Sequence, residues 1–254
     1  MRIIIITQNE PFYLAKNLRY LFNLMPNHSK VIGCIVSDVS PFGKKEGFLK
    51  KAIKTYKIFG FKFFIYYSFK YIFSILNPSN NVLRLLKKEN IKNIKLSKSI
   101  NHTESLEIIK SYEPDLLISI LGNQIFKSDL INLAPKGCIN LHTALLPKFR
   151  GLMPTFWVLL KNQKKTGVSV FYVNKGIDSG PIIVQEEFNI EDRSQKQLII
   201  DTKKLGMEAI VKAVDLIYND NVKLITNDAE KMSYFSFPTK EDVREFKKLG
   251  KRFF

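Results

Sequence analysis

Short apolar runs alternate with amphipathic stretches along the first half of the chain. Apolar runs of this length predict buried strands, whereas apolar residues that recur at helical spacing predict helices with one covered face. The predicted strands are residues 2–7, 30–37, a short segment near Ile94, and 115–121. The predicted helices are residues 11–25, 79–88 and a segment that opens at Thr103. Because strands separated by helices require right-handed crossovers, we predict an α/β, Rossmann-like, mostly parallel sheet.

The second half of the chain changes to paired strands followed by one long helix. Residues 166–173 alternate like a strand, a turn with a single acid follows, and residues 182–188 form the next predicted strand. Helical spacing predicts a helix over 195–218, and a short basic helix is predicted over 240–249. We therefore expect residues 1–190 to form the main domain and residues 191–254 to complete it with a helix and a short tail.

Length and composition fit one large globular domain. A chain of 254 residues with 45% hydrophobic residues can bury a substantial core, in which we also expect Phe156 and Trp157. Cys34 and Cys138 lie in apolar runs without metal-ligand or redox spacing, which is typical of reduced core thiols in a cytoplasmic protein. The isoleucines that follow Arg2 form too short a run for a signal peptide, and we expect a buried strand there.

The sequence contains no nucleotide fingerprint. Residues 8–12, which follow the first strand, include no glycine, and neither a Gly-x-Gly-x-x-Gly motif nor a Walker lysine motif occurs in the chain. Histidines and carboxylates with metal-ligand spacing are also missing from the sequence, so we predict no metal site. His28 and His102 lie in polar segments, and we expect both to be surface loop residues.

An insert at about residues 44–77 combines lysines with a dense set of aromatic residues. The lysines interrupt every span long enough to cross a bilayer, so a transmembrane helix is not predicted. The aromatic residues could pack on the domain's own sheet, lie with one or two amphipathic helices at a membrane surface, or stack on nucleic-acid bases. We favour the first interpretation, because aromatic residues at helical spacing are most often core residues. The third has no recognised motif behind it.

Asn140 and His142 carry the strongest candidate chemistry. They stand two apart at the end of an apolar run, and in a strand this spacing points both side chains to one face. A neutral imidazole can take a proton from an attacking group, and an amide N–H beside it can stabilise a developing oxyanion. Both residues, and the segment 121–123, are expected at the carboxyl ends of strands, where such sheets bind ligands. Taken alone, such a pair is more often a strand-end His and Asn satisfied by neighbouring loops, and the sequence that follows changes this balance.

Further motifs follow these two residues in a fixed order. After Asn-x-His at 140–142 come a Leu-Leu-Pro-x-x-Arg-Gly loop ending at 151, a Thr-Gly-Val-Ser strand at 166–169 and a Gly-x-Asp-x-Gly turn at 176–180. In order and spacing these motifs resemble the formyltransferase family that uses 10-formyltetrahydrofolate, over about residues 114–188. Two positions depart from the family: Ala144 stands where Ser is usual, and Phe171 stands where many members have His.

The resemblance implies a formyltransferase-type catalytic domain over residues 1–190 and a role for several residues. Catalysis would rest on Asn140, His142 and Asp178. The donor, 10-formyltetrahydrofolate, would meet mainly backbone groups of two loops, which implies contacts at Leu121, Gly122, Ile125, Phe126, Gly176 and Ile177. Lys148 and Arg150 could contact an anionic group of the acceptor, and a basic surface loop is the equal alternative.

The net charge of +17 arises from 40 Lys and Arg against 23 Asp and Glu. Such a surface favours anionic ligands, whether nucleotide sugars, tRNA, the glutamate tail of folate or anionic lipid. Much of the excess is Lys in a chain that is also rich in Ile, Asn and Phe, so charge alone does not choose among them.

The resemblance leaves the acceptor amine open. The residues after 188 are too few for a helix and the C-terminal barrel of methionyl-tRNA formyltransferases, so we favour a nucleotide- or lipid-linked amino sugar over tRNA. The alternative is a methionyl-tRNA formyltransferase-like enzyme acting on a non-sugar amine. A non-catalytic folate-binding protein or a membrane-surface scaffold would not need the Asn-His-Asp set. We expect a cytoplasmic enzyme, and leave open a homodimer and a contact of the insert with the inner membrane face.

Overall fold

A seven-stranded sheet forms the centre of the computed structural model, which describes residues 1–38, 47–122 and 124–254. The strands are β1 (Arg2–Gln8), β2 (Lys30–Ser37), β3 (Lys92–Asn93), β4 (Leu116–Ile120), β5 (Cys138–His142), β6 (Arg150–Gly151), β7 (Lys165–Tyr172), β8 (Ile182–Asn189) and β9 (Tyr234–Phe235). The helices are α1 (Leu14–Leu24), α2 (Phe48–Phe59), α3 (Phe61–Leu76), α4 (Val82–Lys88), α5 (Thr103–Lys110), α6 (Ser128–Ile131), α7 (Pro154–Leu160), α8 (Gln195–Tyr218) and α9 (Lys240–Lys248).

The strand order of the described sheet is β3-β2-β1-β4-β5-β7-β8. The strands from β3 to β5 are parallel, whereas β7 pairs antiparallel with β5 and β8 pairs antiparallel with β7. The chain first extends the sheet from β1 toward one edge and then returns through β4 toward the other, so the order reverses between β1 and β4. Ligands of open α/β sheets bind at such a reversal. The predicted Rossmann-like, mostly parallel fold is confirmed.

The first strand shows why this sheet is buried on both faces. Successive side chains of a strand point to opposite faces, and Ile3 and Ile5 belong to one buried cluster whereas Ile4 and Ile6 belong to another. The first cluster includes apolar residues of α1, α4 and α8, and the second includes residues of α5 and α6. Burying each isoleucine contributes about 1.5–3 kcal/mol, so the two helical layers are held to the sheet from both sides.

The C-terminal part packs back on the sheet. Helix α8 contacts α1, β7 and β8, and its Gly206 lies so close to β5 that a Cβ there would stand 2.6 Å from Leu141 Cδ2. Phe246 and Phe253 stack on each other and on Phe156, which is fully buried. Phe156 and Trp157 are core residues, as the sequence predicts. The division at residue 190 stays a prediction.

The insert forms the helix pair α2 and α3, and its residues 44–46 lie outside the described part of the chain. Phe59 and Phe63 stack with ring centroids 4.4 Å apart, and both rings meet the edge of Phe253. The insert therefore packs into the domain's own core through Phe59 and Phe63, as the favoured interpretation expects, but its partners there are the C-terminal aromatic residues and not the sheet. Both faces of the sheet are already covered by other helices, and Phe61, Phe69 and Phe73 remain exposed.

Candidate active site

A cavity of about 380 Å3 opens at the carboxyl ends of the central strands. Gln8 of β1, Ser119 of β4 and Asn140 of β5 line it, and Ser119 and Asn140 are neighbours in the β4–β5 ladder. The volume is in the range of small-molecule sites. Loops after β4, β6 and β7 complete the wall with Gly122, Gln124, Ile125, Phe126, Gly151, Leu152, Met153, Val173, Asn174, Lys175, Gly176, Ile177 and Asp178. Phe171 of β7 and Phe237 also line the cavity.

The ring of His142 is held in one orientation at the end of β5. It is buried, and its Nε2 lies 2.7 Å from the carbonyl oxygen of Phe149. A carbonyl oxygen can only accept, so Nε2 carries the hydrogen, and the Nδ1 of the neutral ring keeps its lone pair. This Nδ1 lies 3.6 Å from Oδ2 of Asp178. His142 is thus connected to the cavity wall through Asp178, and Nδ1 is the nitrogen that can accept a proton.

The Asp178 carboxylate is fixed from two directions. Its Oδ2 accepts a hydrogen bond of 2.9 Å from the backbone N–H of Gly151. Its own carbonyl and that of Gly180 both accept from the side-chain amide of Asn227, at 2.9 and 2.8 Å. Asp178 has a positive φ of 47°, a conformation that Asp adopts more readily than most residues. The turn therefore presents the carboxylate to both the imidazole and the cavity.

The loop that supplies the Phe149 carbonyl is anchored by polar side chains of β7 and β8. Ser169 Oγ donates to the carbonyl of Ala144 at 2.8 Å and accepts from the N–H of Leu146 at 3.1 Å. Gln185 Nε2 donates to the carbonyl of Leu146 at 2.9 Å. Ala144 itself is fully buried in an apolar cluster, whereas Phe171, the other departure from the family pattern, lines the cavity.

Most of the residues expected at the folate loops line the cavity. These are Gly122, Ile125, Phe126, Gly176 and Ile177. Leu121 only leads into the loop, with a φ of 57°, and Asn123 lies outside the described residues. A Cβ at Gly122 would stand 2.5 Å from Ser119 Oγ, so the bare backbone is required for this approach. Ile125 and Ile177 are 61% and 42% exposed at the cavity, an apolar surface suited to one flat ring.

Lys148 and Arg150 do not line this cavity. Arg150 is only 5% exposed, because pairing of β6 with β9 directs it inward, and its Nη2 donates to Oδ1 of Asn227 at 2.8 Å. The alternative of a basic surface loop is therefore wrong for Arg150. Lys148 is exposed and lines a separate groove with Lys164 and Lys165. Neither predicted acceptor contact therefore lies on the wall of the cavity that Asn140 and Asp178 line.

Sequence reasoning missed Gln8, Lys175 and Asn227. Gln8 ends the first parallel strand, so the rule that ligands bind at carboxyl ends could have identified it. Lys175 precedes the predicted Gly176 and is the cation that lines this cavity among the described residues. Asn227 links the Arg150 guanidinium to the backbone of Asp178, and no local sequence signal marks it.

Within 1–38, 47–122 and 124–254, no group of three His, Cys, Asp or Glu residues could hold a metal ion. Among the helices in those same ranges, none has the length and apolar character needed to cross a bilayer.

The fold and the site define an α/β protein with an imidazole, an amide and a carboxylate around a cavity at the carboxyl edge of its sheet. A family model described as formyl transferase matches residues 77–214, which is more than half of the chain. The chain belongs to the formyltransferase family, and the resemblance read from its motifs is confirmed.

Curated relatives and solved structures extend this finding. The chain is 34% identical over 147 residues to methionyl-tRNA formyltransferase of Kosmotoga olearia, covering 58% of this chain and 47% of that protein. It spans about half the length of the curated relatives it matches. An N-formyltransferase from Helicobacter canadensis, in complex with folinic acid and dTDP-3-aminofucose, gives a TM-score of 0.60 at 17% identity, covering 97% of this chain and 80% of that one. Phosphoribosylglycinamide formyltransferase from Anaplasma phagocytophilum gives 0.64 at 16% identity, covering 94% and 99%. At such identities the structural likeness establishes the shared fold.

Proposed function

We propose that this protein transfers the formyl group of 10-formyltetrahydrofolate to the primary amine of an amino sugar linked to a nucleotide or a lipid phosphate. The observation that carries the proposal is the convergence of three side chains. Asn140 and Asp178 line one cavity, and His142 Nδ1 lies 3.6 Å from the Asp178 carboxylate. In this proposal the enzyme acts in the cytoplasm, because its buried free Cys34 and Cys138 are typical of a reducing compartment.

The cavity fits a folate donor by its shape and chemistry. Gly122 and Gly176 leave backbone groups accessible. A Cβ at Gly122 would lie 2.5 Å from the Oγ of Ser119, and a Cβ at Gly176 would lie 2.2 Å from the Oγ of Ser179. Exposed Ile125 and Ile177 would cover the faces of a pterin ring. When bound, the folate supplies an activated one-carbon acyl group. The residues of this chain supply the proton transfers and the stabilisation of charge.

His142 handles the proton of the attacking amine. The amine nitrogen loses a proton as it bonds to the formyl carbon, and the free Nδ1 of His142 is the base. Asp178, whose carboxylate Gly151 holds in place, orients the imidazole or a water that relays the proton, and its charge stabilises the imidazolium. His142 then returns the proton to the departing nitrogen of the donor. Asn140 donates to the formyl oxygen, and one such donor contributes ~3–4 kcal/mol.

Two sets of relatives favour different acceptors. The Helicobacter canadensis N-formyltransferase with dTDP-3-aminofucose supports a sugar acceptor, and exposed Lys175 on the cavity could attract a phosphate group. The curated relatives at 30–35% identity are methionyl-tRNA formyltransferases, which supports a tRNA-linked or other non-sugar amine as the second candidate. We rank the sugar above tRNA, because the sugar N-formyltransferases extend over 93% and 97% of this chain, whereas the methionyl-tRNA formyltransferases match 57–61% of it.

An acceptor panel tests this proposal. The purified protein would be incubated with 10-formyltetrahydrofolate and, separately, dTDP-linked 3-amino and 4-amino sugars, a lipid-phosphate-linked amino sugar and methionyl-tRNA. Mass spectrometry would identify formylated products. We expect formylation of a sugar and little or none of methionyl-tRNA. The reverse result would exclude the sugar but keep formyl transfer. Absence of any product together with absence of folate binding by calorimetry would overturn the enzyme itself.

A further inference from the structure

Helix α3 carries an apolar stripe on the side that faces away from the protein. Positions three or four apart lie on one face of a helix, and the exposed residues of α3 at this spacing are Phe61, Ile65, Phe69, Ile72, Phe73 and Leu76. Phe61, Phe69, Phe73 and Leu76 are between 59% and 69% exposed. The stripe extends over roughly 22 Å at the helical rise of 1.5 Å per residue. A surface helix of a globular protein normally shows the opposite pattern.

The opposite face of α3 is fixed to the protein, so the helix cannot rotate to bury its stripe. Phe63 stacks on Phe59 and meets the ring of Phe253. Lys70 Nζ donates to the hydroxyl of Tyr13 and lies over its ring, and Ser74 Oγ donates to the carbonyl of Pro11. Two polar side chains are therefore used for docking, while the larger apolar side chains face outward.

The segment that carries the stripe is strongly cationic. From Gly47 to Lys88 the sequence contains nine Lys and Arg residues and no Asp or Glu. Lys50, Lys54 and Lys57 form an exposed row along α2, and Lys62 is exposed at the start of α3. Exposed aromatic residues beside an unbroken set of cations are the features by which helices lie in the interface of an anionic membrane.

We propose that the outer face of α3, together with the exposed Lys50, Lys54, Lys57 and Lys62, binds the surface of an anionic lipid bilayer. The aromatic side chains would enter the headgroup region, and the lysines would neutralise lipid phosphates. A second copy of the chain fits this face less well, because pairing it with itself would bring Lys50, Lys54, Lys57 and Lys62 of both copies together without a counter-charge. The proposal goes beyond formyl transfer and does not depend on it.

Vesicle co-sedimentation of the full chain tests the proposal. The two vesicle preparations would be phosphatidylcholine alone and an equimolar mixture of phosphatidylcholine and phosphatidylglycerol. We expect binding to the anionic vesicles only. Replacing Phe69 and Phe73 with Glu should weaken partitioning roughly tenfold or more, because two large apolar side chains no longer enter the bilayer. A Lys57→Glu, Lys62→Glu variant should weaken it by severalfold, and more at low salt.

Matched controls keep these outcomes specific. Ile200→Glu alters an exposed isoleucine of α8, and Lys110→Glu reverses a charge on α5, and neither should change vesicle binding. Circular dichroism would verify that each variant is folded. Equal sedimentation with both vesicle types, or equal loss in the controls, would overturn the proposal. It would also be overturned if sedimentation equilibrium showed a dimer that the Phe69→Glu, Phe73→Glu variant disrupts while no vesicle binding occurs.

Discussion

At the scale of single residues, the chemistry of the site depends on which nitrogen of His142 is free. The Phe149 carbonyl at 2.7 Å holds the hydrogen on Nε2, so the lone pair of Nδ1 is directed toward Asp178. Neither partner could be identified from the Asn-x-His motif alone. The carbonyl belongs to the loop that follows, and the carboxylate lies 36 residues farther along the chain.

Replacing Asn140 or His142, at the end of β5, should abolish most activity without unfolding the protein. His142→Ala removes the base and Asn140→Ala removes the amide donor, and each should lower kcat by about a hundredfold or more. Steady-state kinetics with the acceptor found in the panel measures the loss. His102→Ala is the matched control, because this histidine only caps α5, and its kcat should stay normal. Near-normal turnover of a folded His142→Ala protein would exclude the assignment.

Asp178→Asn should separate catalysis from folate binding. The amide can still accept from Gly151 N–H, but its NH2 group can donate to Nδ1 and occupy the lone pair that the proton needs. We expect kcat to fall about a hundredfold while the folate Kd changes by only a few fold. Calorimetry with folate and single-turnover kinetics measure the two quantities. Parallel loss of both would show that Asp178 holds the folate.

Arg150→Met should destabilise the fold, because Arg150 is a buried structural residue. Its guanidinium donates to Asn227, and Asn227 in turn holds the backbone of Asp178. Removing one partner of a buried hydrogen bond lowers the free energy of unfolding by about 1–3 kcal/mol. Urea denaturation of the Arg150→Met variant measures this loss. Lys148→Met, at an exposed position in the same loop, should change stability by less than ~0.5 kcal/mol. A stable Arg150→Met protein with a raised acceptor KM would instead indicate contact with the acceptor.

At the scale of elements, apolar patterning predicts the strands well and the faces of the added helices poorly. Strand β2 has the predicted bounds, but α1 begins at Leu14 and not at residue 11, because the Glu10 carboxylate already accepts the N–H groups of Phe12, Tyr13 and Leu14. For α3 the pattern correctly indicates an apolar face. Whether that face is covered depends on the contacts of Lys70 and Ser74 with residues far away in the sequence. The spacing of apolar residues along the helix does not predict such contacts.

The docking of α3 on the segment before α1, through Lys70 and Tyr13, should make stability depend on pH. Burial, opposed by Glu10 and reinforced by Lys196 and Lys203, lowers the pKa of Lys70 from 10.5 to about 8. The unfolded chain therefore binds more protons between these values, so stability rises with pH through this window. Burial also raises the pKa of Tyr13 from 10.0 to about 12. The folded chain therefore holds the phenol proton more tightly than the unfolded chain, and the contribution of Tyr13 to stability falls as pH rises above 10.

Comparison of two lysine variants isolates this effect. Between about pH 8 and 10, wild-type Tm should rise relative to that of Lys70→Met, which has no titratable side chain at position 70. Lys62→Met is the control, because Lys62 is exposed on the same helix and its Tm should stay parallel to wild type. Scanning calorimetry at several pH values measures all three proteins. If Tm changed with pH in the same way in Lys70→Met and Lys62→Met, the pH dependence would be due to the overall charge of the chain and not to Lys70.

At the scale of the whole molecule, the excess of positive charge is not concentrated at the candidate active site. The segment from Gly47 to Lys88 carries nine cations on the insert and α4, whereas Lys175 lines the candidate active site. The net charge of +17 raises the local concentration of anionic ligands, but a specific contact requires a cation at the cavity. From the sequence we could predict the total charge. We placed the contact with the anionic group of the acceptor at Lys148 and Arg150, because the sequence does not show which loop faces the cavity.

Ionic strength should therefore affect acceptor binding through Lys175. Exposed charges are screened within about 10 Å at 0.1 M salt, so the KM of a phosphate-linked acceptor should rise with salt while kcat changes little. Lys175→Met should raise this KM severalfold at low salt and flatten its dependence on salt, because a cation on the cavity wall is lost. Lys148→Met, which removes an equal charge outside the cavity, should leave both quantities near wild type. Initial-rate kinetics over a salt series measure them. Equal salt dependence in the two variants would show that the acceptor responds only to the overall field of the protein.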